Sequence, residues 1–170
     1  LREHAHLLKG ANLERANLHN SNLQGATLSK ISAREKDSQG AIIPEAKPQK
    51  GSLQGVDLSS SLLQGAFLVD ANLQGANFFR SKLQGAILNG ANLQGAKLHG
   101  ALLQGARLFS TDFSNADLEK ANLREAELNG AILYGANFGA ANLEDANVTT
   151  VKYDRKEKKP ENYRGIRVDS

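Results

Sequence analysis

The chain has 170 residues, a formal net charge of +3 and no cysteine. The absence of cysteine excludes disulfide bonds and thiol chemistry, although it does not identify a cellular compartment. No apolar run approaches the roughly 20 residues that a transmembrane helix requires, so we expect no membrane span. Because the sequence begins with Leu1 rather than Met, we expect a fragment or a processed form, which need not carry its own targeting signals.

Charge is unevenly distributed along the sequence. Residues 111–150 carry a net charge of −5, whereas the last segment, 151–170, carries +3. The earlier parts are weakly positive, with +2 for 1–30, +1 for 31–50 and +2 for 51–110. This arrangement gives a weak dipole rather than the continuous basic surface that nucleic-acid binding requires. Nucleic acid is therefore not favoured as a partner.

The first segment, residues 1–30, contains the N-terminal end and the first copies of a five-residue pattern. A small residue, a polar residue and leucine recur in it, as at Ala16, Asn17 and Leu18. Arg2 and its neighbours are polar, but no capping element is evident. We expect this segment to begin the structure that the later repeats continue.

The second segment, residues 31–50, breaks the pattern. Ala33 and Pro48 stand where leucine is expected, and the prolines Pro44 and Pro48 cannot donate backbone hydrogen bonds to a neighbouring strand. Ile43 remains in register. The segment is therefore either a loop insertion or a degenerate coil, and both alternatives stay open.

From residue 51 to residue 150 the five-residue pattern is unbroken. Every fifth residue from Leu53 to Val148 is large and apolar: leucine sixteen times, phenylalanine three times and valine once. The residue two positions earlier is alanine in fifteen of the pentads. An α-helix has a period of 3.6 and a strand a period of 2, so the pattern fits neither. It predicts a coil that turns a corner at every pentad and points its large apolar residues inward.

Runs such as Ala71–Gly75 and Ala121–Glu125 resemble the pentapeptide-repeat family, whose pattern is Ala-(Asn/Asp)-Leu-x-x. The resemblance extends over residues 6–30 and 51–150. It implies an all-β fold, a right-handed quadrilateral β-helix with four pentads per coil, in a single elongated domain. Glycine at the end of many pentads, as at Gly75, is typical of corners that need unusual backbone angles.

The last segment, residues 151–170, is a charged tail with seven lysine and arginine residues. Val151 and Tyr153 still fit the repeat, so we expect the solenoid to fray there. We expect disorder or a cap beyond it, because the exposed end of a β-solenoid needs to be covered. The basic charge leaves open an alternative in which the chain is a membrane-apposed module of a larger protein.

With twenty residues per coil, several outward apolar residues gather on one side of the rod. Residues whose positions differ by twenty share a face, so this side extends over three successive coils. An apolar cluster on an otherwise polar rod indicates a contact surface, covered either by a partner or by another segment of the same chain. We call it the contact face, and its members are Phe67, Val69, Ile87, Arg107 and Phe109, with Leu62 and Leu102 on the adjacent face.

Glutamines recur in two columns on opposite faces. The columns are Gln64, Gln84 and Gln104 on one face and Gln54, Gln74 and Gln94 on the other. Stacked amides can hydrogen-bond along a rod, as in cross-β ladders. We therefore expect these columns to stabilise the rod rather than to bind a ligand.

The sequence predicts no catalytic, cofactor or metal site, and hence no enzyme. His4 and His6 supply only two potential ligands, which do not make a zinc site. Carboxylates such as Asp112 and Glu119 lie on outer faces, without the enclosing cleft that acid–base catalysis requires.

We predict a non-enzymatic structural or protein-interaction solenoid with a protein partner of unknown identity. The alternative, which the family resemblance brings in, is a DNA mimic that modulates a topoisomerase, as the acidic quinolone-resistance rods do. Such rods need negative charge along their length, whereas Lys82, Lys97 and Arg107 interrupt this one. The oligomeric state stays open.

Overall fold

The computed structural model describes residue 17, residues 21–24 and residues 52–153. In these residues the backbone forms isolated parallel β-bridges, separated by turns, rather than continuous strands or helices. From residue 52 onward the bridges join residues twenty positions apart, for example Asn72 with Asn92. The chain thus winds as a solenoid of twenty-residue coils. No helix in the described part of the chain is long and apolar enough to cross a membrane.

Each coil has four bridge positions, which define four faces. From residue 52 onward, the first residue of face 1 is Ser52, that of face 2 is Asp57, that of face 3 is Leu62 and that of face 4 is Phe67. Each face continues at every twentieth residue, and face 1 reaches Lys152. The bridge residue is the second of each pentad, the large apolar residue is the third, and the turn occupies the fourth and fifth.

The large apolar residues form a continuous core, as the sequence predicts. Every fifth residue from Leu53 to Val148 is buried, and most of the alanines two positions earlier are buried with them. Polar residues at these small positions are accommodated by hydrogen bonds to the backbone. The hydroxyl of Ser81 donates to the carbonyl of Phe78 at 2.8 Å, and that of Thr111 donates to the carbonyl of Leu88 at 2.9 Å.

Backbone hydrogen bonds join each pentad to the coils on both sides. In the pentad centred on Leu73, the amide of Leu73 donates to the carbonyl of Asn92 at 2.8 Å, and the amide of Gly75 donates to Gln94 at 2.8 Å. The amide of Ala76 closes the turn by donating to the carbonyl of Leu73 at 3.0 Å. Because bonds from the centre amide to the next coil recur from Leu53 to Leu133, the twenty-residue register is fixed along this part of the rod.

The last residue of each pentad adopts a left-handed backbone conformation. Every fifth residue from Gly55 to Thr150 has a positive φ, and half of these residues are not glycine. A positive φ at the third position of a four-residue turn is the requirement of a type II turn. Glycine meets it without steric cost, which explains the glycines of the repeat, whereas another residue there costs about 1 kcal/mol or more.

Asparagine or aspartate at the second position of a pentad caps the turn that follows. The Oδ1 atom of Asn92 accepts a hydrogen bond from the amide of Gln94 at 3.0 Å, and that of Asn142 accepts one from Glu144 at 2.9 Å. This side-chain turn is the reason that short amide and carboxylate side chains suit the position.

The N-terminal repeats pair across a longer interval than the rest. Asn22 bridges to Leu62, forty residues away, and the amide of Leu62 donates to the carbonyl of Ser21 at 2.9 Å. Because these residues bond directly, no strand separates them at this face. This spacing favours a loop insertion for residues 31–50. That segment itself and the tail after residue 153 lie outside the described residues.

Replacing Leu93 with aspartate should lower the free energy of unfolding by more than about 4 kcal/mol, because an unpaired carboxylate would enter the dry core. Leu93 is 0% exposed. Thermal and urea unfolding followed by circular dichroism measure the loss. Asn122→Asp is the matched control, because its carboxylate keeps the capping bond to Arg124. Equal destabilisation by both variants would contradict the inward position of Leu93.

Candidate contact surfaces

The contact face lies where the capping asparagines and aspartates are missing. On faces 3 and 4, none of the second positions between residues 62 and 107 carries Asn or Asp, and four of the six are apolar. These positions are Leu62, Phe67, Lys82, Ile87, Leu102 and Arg107. The turn amide that follows each of them is therefore without the side-chain cap of its own pentad.

On face 4, the residues of the contact face form two neighbouring rows. Phe67, Ile87 and Arg107 occupy one row through direct β-bridges. Val69 and Phe109 lie two positions further along their pentads, and Phe109 is therefore not in line with Phe67 and Ile87. Phe67 is 45% exposed and Arg107 is exposed, whereas the other three are half-buried. Within the contact face, the exposed apolar surface is thus concentrated at Phe67, whereas Phe79 and Tyr134 are similarly exposed on faces 2 and 1.

Asn89 forms a hydrogen bond between successive coils in the second row of face 4. Its Oδ1 atom accepts a hydrogen bond at 3.2 Å from the amide of Phe109, one coil further along. A neighbouring coil thus supplies part of the capping that Arg107 cannot supply. At the rim, the Nε atom of Arg107 lies 3.9 Å from the Oε2 atom of Glu127, where the acidic third of the rod begins.

On face 3, Leu62 and Leu102 are half-buried and belong to the same bridge row, with Lys82 between them. The apolar surface is therefore interrupted by a charge on this face. The Oε1 atoms of Gln64 and Gln84, in the next column, are buried and accept no hydrogen bond, and the same is true of Gln104.

The predicted amide ladder is therefore wrong for the column of face 3, since a ladder requires each carbonyl to accept a bond. On face 1, the Nε2 atom of Gln94 donates instead to the Oδ2 atom of Asp112 at 2.7 Å. Glutamine fills the outer corner of the coil in both columns. The sequence identified the columns but not the bonding partners of the amides.

Asp112 shows how this solenoid uses an outward carboxylate. Burial raises the pKa of Asp112, but hydrogen bonds from the hydroxyl and amide of Ser114 and from Gln94 outweigh it, and the pKa lies below its ordinary value. The carboxylate therefore stabilises the fold when ionised, and this contribution is lost as pH falls through the lowered pKa. A general acid at neutral pH needs the opposite shift.

Face 2 carries a polar and aromatic group that sequence reasoning missed. The rings of Phe79 and His99 stack with centroids 5.7 Å apart and planes at 21°. An open cavity of about 560 Å³ lies against this stack. It is lined by Ser59, Asn77, Phe79, Lys97, His99 and Asp117. The signal that could have found it is the twenty-residue interval from Phe79 to His99 and from His99 to Glu119.

The other histidines, His4, His6 and His19, lie outside the described residues.

The double variant Phe67→Ser/Phe109→Ser should lower the free energy of unfolding by roughly 1 kcal/mol or less, because neither side chain is in the core. Phe113→Ser, at a core position with 0% exposure, should cost at least about 3–5 kcal/mol. Urea unfolding of the three proteins compares them directly. Global unfolding of the double variant would show that its side chains support the core.

The sequence was compared with models of known protein families and with known proteins. A family model for pentapeptide repeats matches the sequence in eight copies, over residues 7–32, 52–90, 71–108 and 111–149. These matches cover more than half of the chain. No curated protein sequence matches it.

Several solved structures are similar to this chain. A pentapeptide repeat protein from Nostoc PCC 7120 is 40% identical, with 51% of this chain and 76% of that chain covered and a TM-score of 0.46. The pentapeptide repeat protein Rfr23 from Cyanothece 51142 is 31% identical, with 86% of each chain covered and a TM-score of 0.30. QnrB1, a plasmid-mediated fluoroquinolone resistance protein, is 16% identical, with 89% and 87% covered and a TM-score of 0.37.

Proposed function

The chain belongs to the pentapeptide-repeat family, and we propose that it acts as a non-enzymatic solenoid that binds a protein partner through the contact face. The right-handed quadrilateral β-helix of the family is the fold we infer for its coils. Four parallel bridge positions in every twenty residues support this inference.

The observation that carries the proposal is the loss of capping on two adjacent faces. An asparagine or aspartate at the second position gives the turn a hydrogen bond worth about 0.5–1.5 kcal/mol. Six neighbouring positions on faces 3 and 4 forgo this bond from their own pentad, and four of them hold apolar side chains; the turn after Arg107 is capped instead by Asn89. Exceptions elsewhere are fewer and mostly polar: Lys97 stands alone on face 2, Ile132 and Lys152 are paired on face 1, and Glu127 continues the row of Arg107. A rod selected for stability alone would not concentrate such residues on one side.

Contact with a protein partner explains why these positions carry apolar residues. Phe67 is 45% exposed on the rod, and its neighbour Ile87 is half-buried in the same row. Burying such a side chain from full exposure contributes about 1.5–3 kcal/mol, so covering the exposed 45% of Phe67 contributes roughly half of that. Arg107 at the rim offers a charged donor of the kind that protein interfaces favour.

The non-enzymatic part of the proposal rests on how the outward carboxylates are used. The oxygens of Asp112 accept structural hydrogen bonds, and its pKa is lowered rather than raised. Arg124 pairs with Glu125 at 3.3 Å and with Glu144 at 3.8 Å on an exposed surface. Neither arrangement combines a perturbed acid with an enclosing cleft.

The topoisomerase alternative is not supported by the charge of the rod. Outward residues Lys82, Lys97 and Arg107 place positive charge on three faces, whereas a DNA mimic needs a continuous acidic surface.

Site-specific photo-cross-linking tests the proposal. With p-benzoylphenylalanine at position 67, in cells that naturally produce the protein, we expect a discrete cross-linked partner that mass spectrometry identifies. Position 134 is the matched control, because Tyr134 is 47% exposed, close to the 45% of Phe67, but lies on face 1. An excess of purified wild-type protein should compete for the partner, whereas the Phe67→Ser/Phe109→Ser variant should not. The same adducts from both positions, or none from position 67, would contradict the proposal.

A further inference from the structure

Three side chains on face 2 bring potential metal ligands together from two successive coils. His99 lies on one coil, and Asp117 and Glu119 lie on the next. One ligand atom from each of the three lies within 4.8 Å of the others. The Nδ1 atom of His99 is 4.0 Å from the Oε2 atom of Glu119. All three side chains are half-buried.

Neighbouring residues hold each of these side chains in position. The imidazole of His99 stacks on the ring of Phe79. The Oδ1 atom of Asp117 accepts hydrogen bonds at 3.1 Å from the amide of Glu119 and from the Nδ2 atom of Asn137. These bonds use Oδ1 of Asp117 and leave Oδ2 available to coordinate a metal ion.

Glu119 is oriented in the same way. Its Oε1 atom pairs with the Nζ atom of Lys120 at 3.2 Å, and its Oε2 atom faces His99. The salt bridge from Lys120 is an outer-shell contact of the kind that orients carboxylate ligands in metal sites, and it leaves Oε2 facing His99.

The geometry points to a surface site for a divalent transition-metal ion, with Zn²⁺ as the test ion, bound by His99, Asp117 and Glu119. One imidazole nitrogen and two carboxylate oxygens form a donor set that suits Zn²⁺ better than Mg²⁺ or Ca²⁺, which prefer oxygen alone. Ligands of a tetrahedral zinc ion lie about 3.3 Å apart. Binding therefore requires rotations of the half-buried side chains that shorten the present separations, which are 4.0 Å between His99 and Glu119 and up to 4.8 Å within the group.

The cavity beside the group leaves the fourth coordination position accessible. His99 and Asp117 both line this cavity of about 560 Å³. A water molecule or a donor group from a binding partner completes the coordination there. The site lies on face 2, so it is separate from the contact face and does not depend on the proposed function.

Two lysines set the strength of the site. Lys120 forms a salt bridge with Glu119. Lys97 pairs with Asp117 through a backbone β-bridge, and Lys97 also lines the cavity. Their positive charges oppose a cation, so binding is weak compared with a structural zinc site. Removing the charge of Lys120 should therefore strengthen binding, whereas the loss of a ligand should weaken it.

Calorimetric titration of the full chain with Zn²⁺ alone tests the inference. We expect Glu119→Gln and Asp117→Asn each to raise the dissociation constant about tenfold or more, and His99→Ala to abolish the site. Lys120→Gln should lower the dissociation constant by roughly two- to tenfold. Circular dichroism of each variant establishes that the fold is retained.

Two controls make the result decisive. Glu127→Gln removes a carboxylate that pairs with Arg107 on face 4 and should change nothing. The double variant His4→Ala/His6→Ala removes two neighbouring histidines near the start of the sequence. The zinc binding that depends on His99 should remain in this variant. Binding that survives both carboxylate substitutions would reduce the site to a lone histidine and overturn the inference. The same holds if His99→Ala and the wild type titrate alike, or if Lys120→Gln weakens binding.

Discussion

The structure depends on the register that backbone hydrogen bonds impose between successive coils. Amides of each pentad donate to carbonyls on both neighbouring coils, and the buried column that contains Leu93 fills the space inside. Neither interaction is sufficient alone. Buried peptide groups need hydrogen-bond partners, and a narrow column of leucines is close-packed only when the hydrogen-bonded backbone surrounds it. Together they repeat every twenty residues, so residues far apart in sequence meet on one face.

Because of this register, single residues that depart from the repeat pattern line up on one face of the rod. A residue at the second position of a pentad either caps its own turn, as Asn92 does, or presents another side chain outward. Because bridge partners stack directly, Phe67, Ile87 and Arg107 become one row rather than three isolated exceptions. The same stacking joins His99 and Glu119 on face 2. Outward groups from different coils are thus brought together on one face, while the core beneath them stays apolar from coil to coil.

The repeat made most of the fold predictable, because the period alone determines which residues point inward. Less could be predicted where two parts of the chain meet without following the period. The pairing of Asn22 with Leu62 depends on a direct bond across forty residues, whereas the sequence left an intervening coil open as an alternative to a loop. The unbonded carbonyl of Gln84 depends on side-chain packing at a corner, which the period does not specify. The offset of Phe109 from Phe67, in contrast, follows from the period, because the forty-two positions between them exceed two coils by two residues.

Disulfide trapping tests the register most directly, because the chain contains no cysteine of its own. Bridge partners lie about 4.8 Å apart, within the range that a disulfide spans. Cysteines at positions 72 and 92 should therefore cross-link on mild oxidation, as should cysteines at positions 22 and 62, whereas a pair at positions 77 and 92 should not. Mass spectrometry of proteolytic fragments identifies the bonds. Cross-linking of 77 with 92, or its absence at 72 with 92, would contradict the twenty-residue register.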